Sequence, residues 1–373
     1  MRLDAFTERV MRKNKDNKSK LPLTISAQYG LVDQITFFNK VIASTDMSNY
    51  YLLKKGEFAY NKSYSSDYPW GAIKRLDNYE QGALSSLYIC FTPLDNVESD
   101  FILQYFESPK WHKGVSEIAV EGARNHGLLN VSVQDFFHTY HYVPKDKKEQ
   151  IKIANLLMLL DERIATQSKI IEDLKKLKSA IIEMEYSHMT KSITHIGDFI
   201  EQTSKRNKDS AIQNVLSVSN SQGFIQQSEQ FENRIVASDD TSNYKIVERN
   251  DFAFNPARIN VGSIARLITF ERGIVSPMYI CFRTKDNLFP VYLDYYLESR
   301  QFFIEIQKRL EGSVRQCLSF EGLCNIPLCV PTVEIQQQIG KRLSALAQEI
   351  KLETDFLELL KKQKKFLLHQ MFI

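Results

Sequence analysis

The sequence predicts an α+β chain: two similar globular domains, each followed by a long helix, with the two helices pairing antiparallel as a coiled coil under a pseudo-two-fold internal repeat. Three observations predict it. The chain is written twice, each copy closes in a heptad pattern, and short β-type runs alternate with helical ones in between. At 373 residues the chain exceeds one ordinary domain. A hydrophobic share of 43% with 25% charged residues fits folded rather than disordered sequence.

The repeat comes first. LDAFTERVMRKNKDN (3–17) returns as IGDFIEQTSKRNKDS (196–210), so Asn14, Lys15 and Asp16 recur as Asn207, Lys208 and Asp209. VIASTDMSNYYLLKKGEFAYN (41–61) returns as IVASDDTSNYKIVERNDFAFN (235–255), with nine of 21 positions identical. YICF recurs at 88–91 and 279–282, Glu107-Ser108 as Glu298-Ser299, Glu121-Gly122 as Glu311-Gly312, and Val143-Pro144 as Val330-Pro331. The unit is far longer than the roughly 20–50 residues of a solenoid repeat, so duplication of a whole domain is the simpler account.

After Pro144 and after Pro331, Pro and Gly nearly vanish. Ile153, Leu157, Leu160, Ile164, Ile171, Leu174 and Ile181 follow a 4-3 spacing completed by Gln167 and Lys178. Ile339, Leu343, Leu346, Ile350, Leu357, Leu360 and Leu367 repeat it, with Glu353 and Lys364 at the same polar steps. This is a heptad seam, and polar seam residues fix register and partner at some cost in stability. Helices of about 35–40 residues run roughly 55–60 Å at 1.5 Å per residue and need a partner for the apolar stripe. The simplest partner is the other copy. The lysines near each helix end (Lys175, Lys176, Lys178; Lys361, Lys362, Lys364, Lys365) form a solvated face or reach phosphates.

In the globular parts ITFFNKVIAS, SSLYICF, SPMYICF and NIPLCVP have strand character, while FILQYFES and PVYLDYYLESRQFFIEIQKRL have helical character. The expected boundaries are a first globular domain at 1–146, a central helix at 147–187, a second domain at 188–332 and a final helix at 333–373.

Composition and motifs exclude several functions. A formal net charge of +3 leaves nucleic-acid binding to local patches. No apolar window is long enough to cross a membrane, and the opening residues lack the apolar core of a secretory signal. Five cysteines without a CxxC pair read as thiols of a reducing cytoplasm. Phosphate-binding glycine loops, HExxH and GxSxG are missing, as is the Asn/Asp-Pro-Pro-aromatic tetrapeptide of amino-methyltransferases, since Ala257 follows Asn255-Pro256. His138 and His141 have no third ligand in view and read as core or surface histidines. The chain is expected to be non-catalytic and to bind no metal.

Recognition chemistry is more evident. After the repeated F-A-[YF]-N, one copy presents Asn61, Lys62, Ser63 and Tyr64, then Lys74 and Arg75 beyond Gly71. The other presents Asn255, Arg258 and Asn260 before Gly262. A second loop after Glu-Gly carries Arg124, Asn125 and His126 in one copy and Arg315 and Gln316 in the other. Asn and Arg read base edges through paired hydrogen bonds, while Tyr, Ser and Lys hold phosphates. The framework recurs and the polar residues differ, the pattern of one scaffold reading two sequences.

Two divergent globular halves, each followed by a heptad helix, resemble the specificity subunits of type I restriction–modification systems. The matching residues are the [VI]P before each helix, EQIKIANLLMLLDERI (149–164), LKKLK (174–178) with LKKQKKFLLHQMF (360–372), and the loops NKSYSSDYPWGAIKRL and EGSVRQCLSF. The resemblance implies that each half reads one part of a bipartite site on double-stranded DNA. It implies that the paired helices set the spacer and dock two modification (methyltransferase) subunits, with restriction subunits joining the full assembly. The chain itself would hold no cofactor. S-adenosylmethionine would belong to the methyltransferase, and ATP and Mg to the restriction subunit. The setting would be the cytoplasm of a bacterium or archaeon, with no membrane contact. The rival reading is a coiled-coil protein–protein scaffold that does not bind DNA.

Overall fold

The computed structural model describes residues 1–40, 43–119, 128–187, 193–220, 222–227, 240–312 and 316–372. Its contacts divide into two units, Met1–Ser168 with Asp355–Ile373, and Lys169–Thr354. The fold is α+β, with two sheet-rich domains and a long helix between them.

The first unit holds eight strands: β1 (Thr7–Arg9), β2 (Pro22–Ser26), β3 (Gly30–Asp33), β4 (Tyr51–Lys54), β5 (Phe58–Asn61), β6 (Ala72–Arg75), β7 (Gln81–Leu84) and β8 (Ile89–Pro93). They form two four-stranded sheets, ordered β1-β8-β5-β6 and β3-β2-β7-β4. The helix α1 (Gln34–Phe38) falls between β3 and β4, and α2 (Ser99–Glu107), α3 (His112–Ile118) and α4 (Val133–His138) follow β8, before the long α5 (Lys147–Tyr186). The second unit repeats the strands: β9 (Ile200–Thr203), β10 (Val215–Ser219), β11 (Gly223–Gln226), β12 (Lys245–Glu248), β13 (Phe252–Phe254), β14 (Ile264–Arg266), β15 (Arg272–Val275) and β16 (Ile280–Thr284). Its helices are α6 (Ile196–Phe199), α7 (Pro290–Leu297), α8 (Arg300–Arg309), α9 (Phe320–Cys324) and the long α10 (Val333–Gln370).

The sheets of the second unit are β14-β13-β16-β9 and β11-β10-β15-β12. Every strand thus corresponds to the one eight places earlier, down to the single parallel pair in each unit, β2 with β7 and β10 with β15. The repeated side chains explain the repeated fold. Buried Asn14 bonds Ser19 through both ends of its amide, at 2.9 and 2.7 Å, and buried Asn207 bonds Ile212 the same way, at 2.9 and 3.1 Å. Each closes a loop whose backbone polar groups would otherwise be buried without partners. Phe58 stacks on Phe91 at 5.4 Å and Phe252 on Phe282 at 5.1 Å. These ring pairs anchor the sheet against its helices.

Three expectations need correction. The strand character of 35–44 does not hold where the residues are described: Gln34–Phe38 is helical. The Asp33 carboxylate accepts from the Ile35 amide at 3.0 Å, and Asn39 ends the turn in the left-handed region, so capping overrides the β propensity of Ile35 and Phe37. Asn325–Pro331 is not a strand either. It makes one isolated bridge, His195 to Pro327, because its prolines have no N–H to donate to a ladder. The helical run 290–310 is broken in two where Ser299 caps the Phe302 amide at 3.1 Å.

Each long helix starts on its own domain through one buried glutamine. Gln150 accepts from the Glu98 amide at 2.8 Å and donates to Pro144 O at 2.7 Å. Gln336 accepts from the Phe289 amide at 2.7 Å and donates to Pro331 O at 2.8 Å. The other helix completes the packing. In the first unit, Ala154 and Leu157 of α5 share a core with Leu368 and Phe372 from the end of α10. In the second, Ile339 and Leu343 of α10 share one with Ile182 and Tyr186 of α5. Within each unit the two helices therefore run antiparallel, locked by Lys364 to Asp161 in the first (2.5 Å) and by Arg342 to Glu185 in the second. All fourteen apolar heptad residues are buried or half-buried. Among the described residues no helix is long and apolar enough to cross a membrane.

Candidate nucleic-acid interface

The candidate loops leave equivalent strand ends. In the first unit, Asn61 at the end of β5 turns the chain by accepting from the Ser63 amide at 3.0 Å. The loop folds back through mutual Ser65–Tyr68 backbone bonds and returns at Gly71, whose amide donates to Tyr68 O at 3.1 Å. Gly71 has φ +79, and a Cβ there would lie 2.1 Å from Asn61 O, so no other residue fits. Buried Tyr60 steadies the loop from below by donating to Trp70 O at 2.8 Å. In the second unit, buried Asn255 accepts from the Ala257 amide at 3.1 Å, a short 3-10 turn spans Ile259–Val261, and Gly262 returns the chain at φ +89.

In each half the chain following the second loop bonds to the first loop at an equivalent carbonyl. The Leu129 amide donates to Lys62 O at 2.9 Å, and the Leu318 amide donates to Pro256 O at 3.0 Å. Lys62 and Pro256 are equivalent in the repeat, while the donors Leu129 and Leu318 differ by two positions. Glu311 and Cys317, next to Gln316, exchange backbone bonds of 2.9 and 2.8 Å. Arg124, Asn125, His126 and Arg315 lie outside the described residues.

The remaining candidates differ in availability. Ser63, Tyr64, Arg258 and Gln316 are exposed; Asn61, Lys62 and Asn260 are half-buried. Asn255 is spent on its own turn. Lys74 and Arg75 are engaged within the domain: Lys74 is 9% exposed with its ammonium 2.5 Å from Glu107, and Arg75 bonds Asp77 and Asp100, both at 2.6 Å, beneath the ring of Phe58. Arg266, the repeat of Arg75, pairs in the same way with Asp294 at 2.9 Å. Burial of Asp294 pushes its carboxyl up, and the Arg266 guanidinium opposes that shift. These arginines brace strand against helix in both copies.

Sequence reasoning missed two features. Leu128 and Leu129 tie the loops together, and only apolar residues mark them in sequence. The other is a cavity of about 310 Å³ under the first loop, walled by Tyr68, Lys74, Trp111 and His112 from the domain and by Lys365, Leu368 and His369 from α10. Burial lowers the pKa of His112. His141 is a core histidine, bonded to the Tyr105 hydroxyl at 3.0 Å and the Thr139 hydroxyl at 2.7 Å; burial lowers its pKa to about 4. Along the helices of the first unit, Leu156, Leu160, Phe356 and Leu360 line an apolar groove of about 620 Å³, with Leu159 and Leu359 about three-fifths exposed beside it. Among the described residues no group of three His, Cys, Asp or Glu side chains is placed to hold a metal.

One domain present twice, with shared framework bonds and different side chains on its loops, defines a duplicated two-domain protein. Residues 193–362 match the family model described as the type I restriction modification DNA specificity domain. Among solved structures, the fold is similar to one described as the structural basis of complex assembly and conformational transition of the type I R-M system, at 14% identity, TM-score 0.57, and coverage of 99% of this chain and 95% of that one. It is also similar to the S subunit of a type I restriction–modification system from M. genitalium, at 15% identity, TM-score 0.57, and coverage of 100% and 95%. At these identities the likeness concerns the fold. No curated protein matches the chain. The second half of the chain thus matches the type I restriction modification DNA specificity domain, and the fold of the whole chain is similar to that of type I S subunits.

Proposed function

We propose that residues 1–146 and 188–332 are two target-recognition domains that read the two halves of a bipartite DNA site. The observation that carries this is the paired-loop geometry. Both domains bond the segment after their second loop to equivalent carbonyls at the first, yet present Lys62, Ser63 and Tyr64 in one and Pro256, Ala257 and Arg258 in the other. A common scaffold with divergent polar tips is what two different half-sites require. Asn61, Lys62, Ser63, Tyr64, Arg258, Asn260 and Gln316, together with Arg124, Asn125, His126 and Arg315, form the reading set. Asn255, Lys74 and Arg75 hold the loops in place. With a formal net charge of +3, affinity rests on these local groups, and binding weakens steeply with salt as counterions are released.

The pairing of α5 with α10 supports a role as a ruler that turns helix length into the spacer between half-sites, as subunit separation sets half-site spacing in dimeric DNA readers. The apolar groove between these helices suits an apolar helical face, and we assign it to a modification subunit, with a second such subunit on the other half of the helix pair. In this reading the methylation chemistry and S-adenosylmethionine belong to those subunits. ATP, Mg and cleavage belong to restriction subunits in the full cytoplasmic complex.

The test exchanges residues 1–144 for the corresponding part of another such protein and maps adenine methylation in a host carrying the partner methyltransferase. One half-site changes and the other stays. A change in both removes the modular reading. Absence of any sequence-specific binding in a mobility-shift assay at two salt concentrations leaves the protein–protein scaffold instead.

A further inference from the structure

The last turns of α10 belong to the first domain, although some 290 residues separate them from its reading loop. Phe372 is 2% exposed, with its ring 5.6 Å from Phe101 and 5.4 Å from Tyr105, both edge-to-face. Leu368 is buried in the same core. One turn back, Lys365 and His369 face the cavity whose opposite wall is Tyr68, Gly71 and Lys74. The loop is held from its own domain by Tyr60 and the Leu129–Lys62 bond, and α10 faces its return to the sheet across this cavity, from the core that Leu368 and Phe372 share with Tyr60. Loops gain a defined geometry only from packed neighbours, and a small displacement of a base-reading side chain is enough to lose its paired hydrogen bonds.

We infer that Lys365, Leu368, His369 and Phe372 are positioning residues for the first domain's half-site: they hold the 61–74 loop in its reading geometry and touch no DNA themselves. This rests on the proposed DNA-reading role of that loop. The repeat supplies the mirror position. Tyr186 stands where Phe372 stands, 5.0 Å from Tyr292 and 5.6 Å from Tyr296, so it supports the second domain and not the first.

The experiment uses the full chain with its methyltransferase partner. Phe372→Ala, Phe372→Tyr and the double variant Lys365→Ala/His369→Ala are compared with the parent in two assays. One is selection from DNA randomised in each half-site. The other is amide hydrogen exchange at residues 61–74 without DNA. Phe372→Ala and the double variant should lower selectivity in the first half-site by about tenfold, the scale of one lost base contact, leave the second within about twofold, and speed exchange at 61–74. Phe372→Tyr, which restores the ring found at Tyr186, should keep both at parent levels. Equal loss in both half-sites, or unchanged exchange at 61–74 in the double variant, overturns the inference. If exchange speeds as expected while the parent itself selects no bipartite sequence, the support of the loop stands and its DNA-reading role falls.

Discussion

The ammonium of Lys364 lies 2.5 Å from the carboxylate of Asp161, which also accepts from the buried amide of Gln104 at 2.9 Å. One carboxylate thus joins α2, α5 and α10. Lys178, the repeat of Lys364, is instead held by Glu298 at 2.6 Å and lies over the ring of Tyr295. The equivalent lysines thus do different work: Lys364 ties the two helices together, while Lys178 ties α5 to the second domain.

Asp161→Ala should therefore cost more than an exposed ion pair. The pair itself, with Lys364 19% and Asp161 39% exposed, contributes about 1 kcal/mol at most. The Gln104 amide, left buried without its acceptor, adds about 1–2 kcal/mol. Urea midpoints for Asp161→Ala, Lys364→Ala and the double variant should show coupling between the two positions. Strict additivity contradicts the lock.

Removing one heptad from both α5 and α10 should shorten the spacer and keep both half-sites. Seven residues are about 10.5 Å of helix, close to three base pairs at about 3.4 Å each. Methylation mapping that returned the original spacer in the shortened protein would refute the ruler.

Arg258→Ala should relax or weaken the second half-site alone. If Arg258 contacts a guanine, the loss is about 1–3 kcal/mol at that base pair. Methylation unchanged at every position would return Arg258 to the scaffold.

Gly71→Ala should destabilise the first domain by about 2 kcal/mol or more, because the added Cβ meets a backbone carbonyl and the positive φ penalises any side chain. A lower unfolding midpoint, with first half-site binding lost before second, is the expected result. A neutral substitution would mean the loop has another low-energy path.

His141 sets part of the acid sensitivity. Its folded pKa of about 4 lies below the 6.5 of a free histidine, so between these pH values the unfolded chain binds the extra proton. Its contribution is fully present above about pH 6.5 and is lost as pH falls toward 4, up to about 3 kcal/mol. His141→Gln should flatten the pH dependence of urea stability across that window. A slope equal to the parent's would assign the acid sensitivity to other groups.

The duplicated fold was legible because its framework is local. Asn14 and Asn207 each close a loop five residues long, and Gln150 and Gln336 each bind a carbonyl five or six residues back, so identical short segments build identical turns. The long helices were legible for the same reason, since a heptad repeat is a property of one segment. The strand expected at 35–44 failed because one capping aspartate outweighed the β propensity of its neighbours. What the sequence could not settle is which charges are spent. Lys74 and Lys62 read alike in the chain, but only the fold brings Glu107 against the first. Nor does any periodicity place His369 and Phe372 under a loop near residue 65. Local hydrogen bonds and periodic burial are written in consecutive residues, whereas these pairings join segments from 33 to about 300 residues apart, and so only the tertiary structure decides them.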